Sequence, residues 1–125
     1  MILTAALMIV AQTEVTDEWE RRMTGPARAV MSCRAGADCD SIRSRARQWI
    51  VDHSRYSIVS ESDDLIITRG PAYASNDSAF AVVFSPVRSG TRDVRFRAWC
   101  GNWIACFPST EEWRRRFIRA MRTRH

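Results

Sequence analysis

Residues 79–99 read AFAVVFSPVRSGTRDVRFRAW, and this stretch decides the fold. In Ala79 to Ser85 every second residue, Phe80, Val82 and Phe84, is large and apolar. In Arg92 to Trp99 the same alternation sets Val94, Phe96 and Ala98 against Arg95, Arg97 and Trp99. A period of two sends successive side chains to opposite faces of a sheet, so both runs predict strands with one apolar face. Between them Ser89-Gly90 marks the bend, and the two strands read as an antiparallel hairpin.

Downstream, Ser109 follows Pro108 as the N-cap of a helix with Glu112 at its third position, a capping box, and Trp113, Phe117 and Met121 share one face. Glu111 and Glu112 near its start and Arg119 and Arg122 near its end suit the helix dipole. Upstream, residues 70–78 are rich in Gly, Pro, Ser, Asn and Asp and read as a connecting loop. Before them, Tyr56 to Ser60 and Asp64 to Arg69 are β-rich runs about the acidic turn Glu61-Ser62-Asp63, a first hairpin. Asp40 or Ser41 caps a helix whose Ile42, Ala46, Trp49 and Ile50 recur on one face. Thr16 caps an earlier helix carrying Trp19, Met23 and Val30, which Gly25-Pro26 breaks or kinks. The predicted architecture is a two-layer α+β domain, a four-stranded antiparallel sheet of two hairpins covered on one face by helices and stapled by two disulfides.

The 125 residues, 46% hydrophobic and 26% charged, support one core, which excludes a disordered chain and a two-domain enzyme. Residues 12–125 are assigned to that single domain. No phosphate loop, zinc-finger spacing or metalloprotease helix occurs. All 19 basic residues are arginine, against 14 acidic ones, for a net charge of +5. Complete replacement of lysine points to a coding bias, so the basic balance reads as a solvated surface and against nucleic acid as the partner.

Residues 1–11, MILTAALMIVA, carry no charge and end in Ile9-Val10-Ala11, a tolerable cleavage site; the polar run Gln12 to Glu20 follows. They read as the apolar part of an export signal whose basic part would lie upstream of Met1, and they are too short for a transmembrane span of about 20 residues. Cys33, Cys39, Cys100 and Cys106 form two C-x5-C pairs. Zinc sites favour closer spacing, and only His53 and His125 could add ligands, so disulfides are expected and neither a metal nor a cofactor. Local pairing, Cys33 with Cys39 and Cys100 with Cys106, is preferred because Gly36 and Gly101 let each loop bend back; cross-pairing stays open. Disulfides and an export signal together indicate a periplasmic or secreted protein.

Asp38-Cys39, Ser44-Arg45-Ala46, Trp49-Ile50-Val51, His53-Ser54-Arg55-Tyr56, Leu65-Ile66-Ile67-Thr68 and Gly70-Pro71, followed by Cys100-Gly101-Asn102 and Cys106, form a scattered set of motifs between Cys33 and Ser109. With these the chain resembles a group of small exported proteobacterial proteins of unknown function. It departs from them at Arg43, where an aromatic is usual, and at Ala105, where a glycine is. The resemblance implies export and two cysteine pairs, and it supplies no activity and no catalytic residues.

Asp52-His53-Ser54 contains the residue types of a hydrolase triad, but neighbours at a helix end diverge, whereas a triad converges from separate elements. Cys100 with Asn102 has the ingredients of a thiol hydrolase, yet a paired cysteine in an exported chain has no thiolate. Glu61, Asp63 and Asp64 lack the spacing of a calcium loop. The remaining candidate surface is the outer side of the last strand, where Arg95, Arg97 and Trp99 present planar cations and an indole beside Ala81 and Val83. The arginines of the C-terminal helix read as its solvent side. The expected role is a non-enzymatic envelope interaction module that binds an anionic polymer or a protein partner through Arg95, Arg97 and Trp99; the alternative is a small exported hydrolase whose site assembles only in the fold.

Overall fold

A computed structural model of the chain describes residues 17–70, 77–101 and 106–122. The export-signal segment 1–11, the Thr16 cap, loop residues 71–76, and Asn102 and Ala105 lie outside the described residues. In chain order the elements are α1, helical over residues 17–23, β1 (Ala29–Arg34), α2 (Ala37–His53), β2 (Ile58–Glu61), β3 (Leu65–Thr68), β4 (Ser78–Phe84), β5 (Thr91–Cys100) and α3 (Thr110–Arg122).

β4 and β5 pair in the register that the alternation demands, with Phe80 opposite Ala98, Val82 opposite Phe96 and Phe84 opposite Val94. Ser89 and Gly90 both take positive φ, 52° and 76°, and Arg88 and Thr91 exchange backbone hydrogen bonds of 2.8 and 3.1 Å. That is a two-residue turn whose twist matches the flanking strands. The sheet is α+β and antiparallel as expected, but it has five strands, in the order β1-β5-β4-β3-β2. β2 to β5 form one continuous meander, and β1 adds beside β5 at the far edge.

β1 replaces what the apolar pattern suggested was the tail of the first helix. Gly25-Pro26 ends α1 outright, and Val30 is a buried strand residue. A register shift between Ala29 and Met31 interrupts the alternation of β1, so no clean period of two shows in its sequence. α2 also starts earlier than Asp40. Gly36 at φ 99° turns the chain directly into Ala37, the Cys33–Cys39 bridge closes the corner with Cα atoms 5.1 Å apart, and the Arg34 N–H donates to the Asp38 carboxylate at 2.8 Å.

α2 and α3 cover one face of the sheet. Trp49 meets Phe80, Phe96, Trp113 and Phe117 edge-on, with centroids 5.2, 5.6, 5.8 and 5.4 Å away, and Ile42, Ala46, Ile50 and Met121 complete the layer. The helices do not stay on that face alone. α1 packs on the opposite one, where Met23 is 1% exposed against Ile67, Ala79 and Ala81. Two features of the sheet require such a cover: Ile66 and Ile67 point to opposite faces and both are fully buried, and the small Ala79 and Ala81 leave room for a helix to approach. α3 begins where the sequence places it, with the Glu112 N–H donating to Ser109 Oγ at 3.1 Å. The Glu112 carboxylate, however, accepts from Arg115 and Arg116. The second disulfide joins Cys100 to Cys106. No helix among the described residues is long and apolar enough to cross a membrane.

Candidate functional site

Arg95, Arg97 and Trp99 do share one face of β5, but α1 divides them. Trp19 meets Trp99 edge to face, with centroids 5.4 Å apart, and the Arg22 guanidinium lies 5.5 Å from the Trp99 ring centre. Arg97 Nη1 donates to the Arg22 carbonyl at 2.8 Å, which sets a cation against the C-terminal end of the helix. Trp99 is therefore half-buried in the contact with α1, Arg97 holds that helix down, and Arg95 remains exposed. The open Arg/Trp surface read from the sequence is shorter by one indole, because nothing in the spacing of Trp19 and Met23 said which face of the sheet they would cover.

Beyond the end of α1, adjoining depressions form a furrow along β5 that starts on the α1 face and passes at the sheet edge to the α3 side. Its first part, about 420 Å³, lies by the β4–β5 turn and includes Arg88, Asp93 and Arg95. A narrow middle part of about 20 Å³ passes Met23 and Gly25, with Arg95 and Arg97 beside it. The third part, about 320 Å³, is bordered by Arg28, Arg97, Ala98, Glu111 and Arg114. Arg95 belongs to the first two parts, and Arg97 to the second and third, so the three follow β5 in series.

Among the described residues, seven arginines are held in ion pairs. Arg43 and Arg47 pair with Glu61, Arg55 with Asp77, Arg92 with Asp64, and Arg114, Arg115 and Arg116 with Glu111 and Glu112. The hydrogen bond from Arg47, helped by its charge and that of Arg43, holds the Glu61 carboxyl below its usual pKa despite some opposing desolvation. Hydrogen bonds from Arg115, then Arg116, do the same for Glu112. In the furrow, Arg28, Arg88 and Arg95 have no carboxylate partner among the described residues, Arg114 pairs with Glu111, and Asp93 is the other acid that lines it. Five arginines against two carboxylates make it an anion-attracting track. Arg28 and Arg114 escape a reading of the sequence because their membership depends on the pairing of β1 with β5 and on the crossing of α3, whereas Arg88 comes from the β4–β5 turn itself.

The other candidates are not assembled. Asp52 accepts from Gln48, His53 stacks on Trp49 with Nδ1 2.8 Å from the Trp49 carbonyl, and Ser54 Oγ donates to the Tyr56 carbonyl. Glu61 and Asp64 are drawn to different arginines, and no group of three or more potential metal ligands occurs among the described residues. Cys100 is bridged to Cys106 and carries no thiolate. Compared with protein-family models, with curated proteins and with solved structures, the chain matches none.

Proposed function

We propose that this protein is a non-enzymatic binding domain of the periplasm or cell exterior, which takes an extended anionic chain along the furrow of β5. One observation carries the reading: Arg28, Arg88 and Arg95, which have no carboxylate partner among the described residues, line adjoining depressions along β5 together with Arg97 and Arg114. Their strand-borne spacing supports a linear ligand, since Arg95 and Arg97 stand about 7 Å apart on a rigid element and need little ordering on binding. Two disulfides, the apolar segment 1–11 and the resemblance to small exported proteins support the compartment. Among the described residues the furrow presents no exposed aromatic ring for stacking, which favours a ligand held by charge and backbone over one held by bases.

The test is titration of polygalacturonate, and of vesicles containing phosphatidylglycerol, against wild type, an Arg28→Ala/Arg95→Ala variant and an Arg115→Ala/Arg116→Ala variant. Loss of two charge contacts weakens binding about tenfold in the furrow variant, and the α3 variant binds as wild type does. The affinity falls with salt as the Debye length shrinks to about 8 Å. Loss confined to the α3 variant, or binding no tighter than that of an unrelated arginine-rich protein, overturns the assignment.

A further inference from the structure

β1 pairs with β5 only as far as Ala29 opposite Arg95, yet β5 runs on to Cys100. Parity along β5 fixes what is left over. The Asp93 carbonyl accepts from Ser85 in β4, whereas the Gly90 carbonyl accepts from Ala35 on the β1 side. Odd-numbered residues of β5 thus turn their backbone groups to β4, and even-numbered ones turn theirs to β1. The N–H and C=O of Ala98 therefore point to the edge that β1 has left, where no strand lies among the described residues. The 320 Å³ part of the furrow occupies this place, between Arg28 on the segment leading into β1 and Thr110, Glu111 and Arg114 at the start of α3. An unpaired stretch of strand with flanking walls is a slot for one more strand.

Resting on the function proposed above, we infer that the anionic chain is an acidic polypeptide segment, which enters this slot extended and pairs with β5 at Ala98. Its backbone pairs with the Ala98 N–H and C=O, and carboxylates on its two faces meet Arg97 on the α1 side and Arg114 on the α3 side, with Arg28 at the edge, in charge-assisted contacts. An extended peptide places alternate side chains about 7 Å apart, the spacing of Arg95 and Arg97 themselves. A glycan has no regular donor and acceptor row to offer the strand edge, so the backbone of β5 discriminates between the two kinds of polyanion.

The experiment uses the oxidised full chain and three probes: a fluorescein-labelled, end-blocked heptapeptide alternating Thr and Glu, the same peptide N-methylated on the amides of one edge, and polygalacturonate. The unmodified peptide binds, its N-methylated form binds about tenfold more weakly, Arg28→Ala and Arg114→Ala each weaken it several-fold, and its addition slows hydrogen exchange at the Ala98 amide. Equal binding of the two peptides, or an Ala98 amide already protected in the free protein, overturns strand addition and leaves the anionic furrow standing. Binding of polygalacturonate without binding of the peptide likewise overturns the inference alone. Binding of none of the three overturns both the inference and the furrow.

Discussion

Gly70→Ala tests the docking of α1 without touching α1. A Cβ at position 70 would lie 2.2, 2.4 and 2.8 Å from three atoms of the Trp19 ring, well inside contact distance. The ring has little freedom to yield, because Trp19 Nε1 donates to the Thr68 carbonyl at 2.7 Å and its edge meets Trp99. The methyl therefore displaces Trp19. The hydrogen bond contributes about 1 kcal/mol and the aromatic pair about 0.5–1.5 kcal/mol. The expected loss is about 1.5–2.5 kcal/mol, a fall in Tm of about 10 °C for a domain of this size. Urea unfolding should be measured for wild type, Gly70→Ala, Trp19→Ala and the double variant, with hydrogen exchange over residues 17–24. If Trp19 is seated on Gly70, the alanine is costly in wild type and nearly neutral once Trp19 is gone, and the α1 amides exchange faster in both single variants. An equal cost of Gly70→Ala in the two backgrounds would refute the packing described for α1.

Three further outcomes are expected. Phe80→Ala removes a fully buried ring that meets Trp49, Phe96 and Trp113, and lowers stability in urea by about 3–5 kcal/mol. Ser109→Ala frees the Glu112 N–H and costs about 1 kcal/mol, whereas Ser109→Asp keeps the cap and costs little. The lowered pKa of Glu61 means that its pairs with Arg47 and Arg43 contribute fully above the ordinary carboxylate range and are lost as pH falls through the folded-state value. Glu61→Gln therefore removes about 0.5–1 kcal/mol near neutral pH and almost nothing at about pH 2, a difference that urea midpoints at low salt will show.

What the sequence revealed follows from how local each cause is. The β4–β5 hairpin is legible because Phe80, Val82 and Phe84 alternate cleanly and Ser89-Gly90 has turn chemistry. The capped start of α3 and the buried face of α2 are equally local. β1 is not legible, since its bulge spoils the period and its partner lies far along the chain. The side of the sheet that α1 covers depends on small residues, Ala79 and Ala81, whose meaning appears only once Ile67 is known to need a cover. Alternation alone sets Arg95, Arg97 and Trp99 on one face of β5. The grouping of Arg28 and Arg114 with them is a product of topology: β1 stops early, α3 crosses above, and neither event has a sequence signature.

The position of β1 and α1 at the start of the chain and of β5 near its end sets an order of assembly. Arg97 reaches Arg22 across 75 residues, and Trp19 reaches Thr68 across 49. In a chain that emerges N-terminus first, the Trp19 contact waits until about half of the chain is out and the Arg22 contact until residue 97, while β2 to β5 can zip together neighbour by neighbour. The Cys33–Cys39 bridge spans only 6 residues and needs no distant partner. It can close first, leaving β1 and the start of α2 as a ready corner that waits for β5 to arrive.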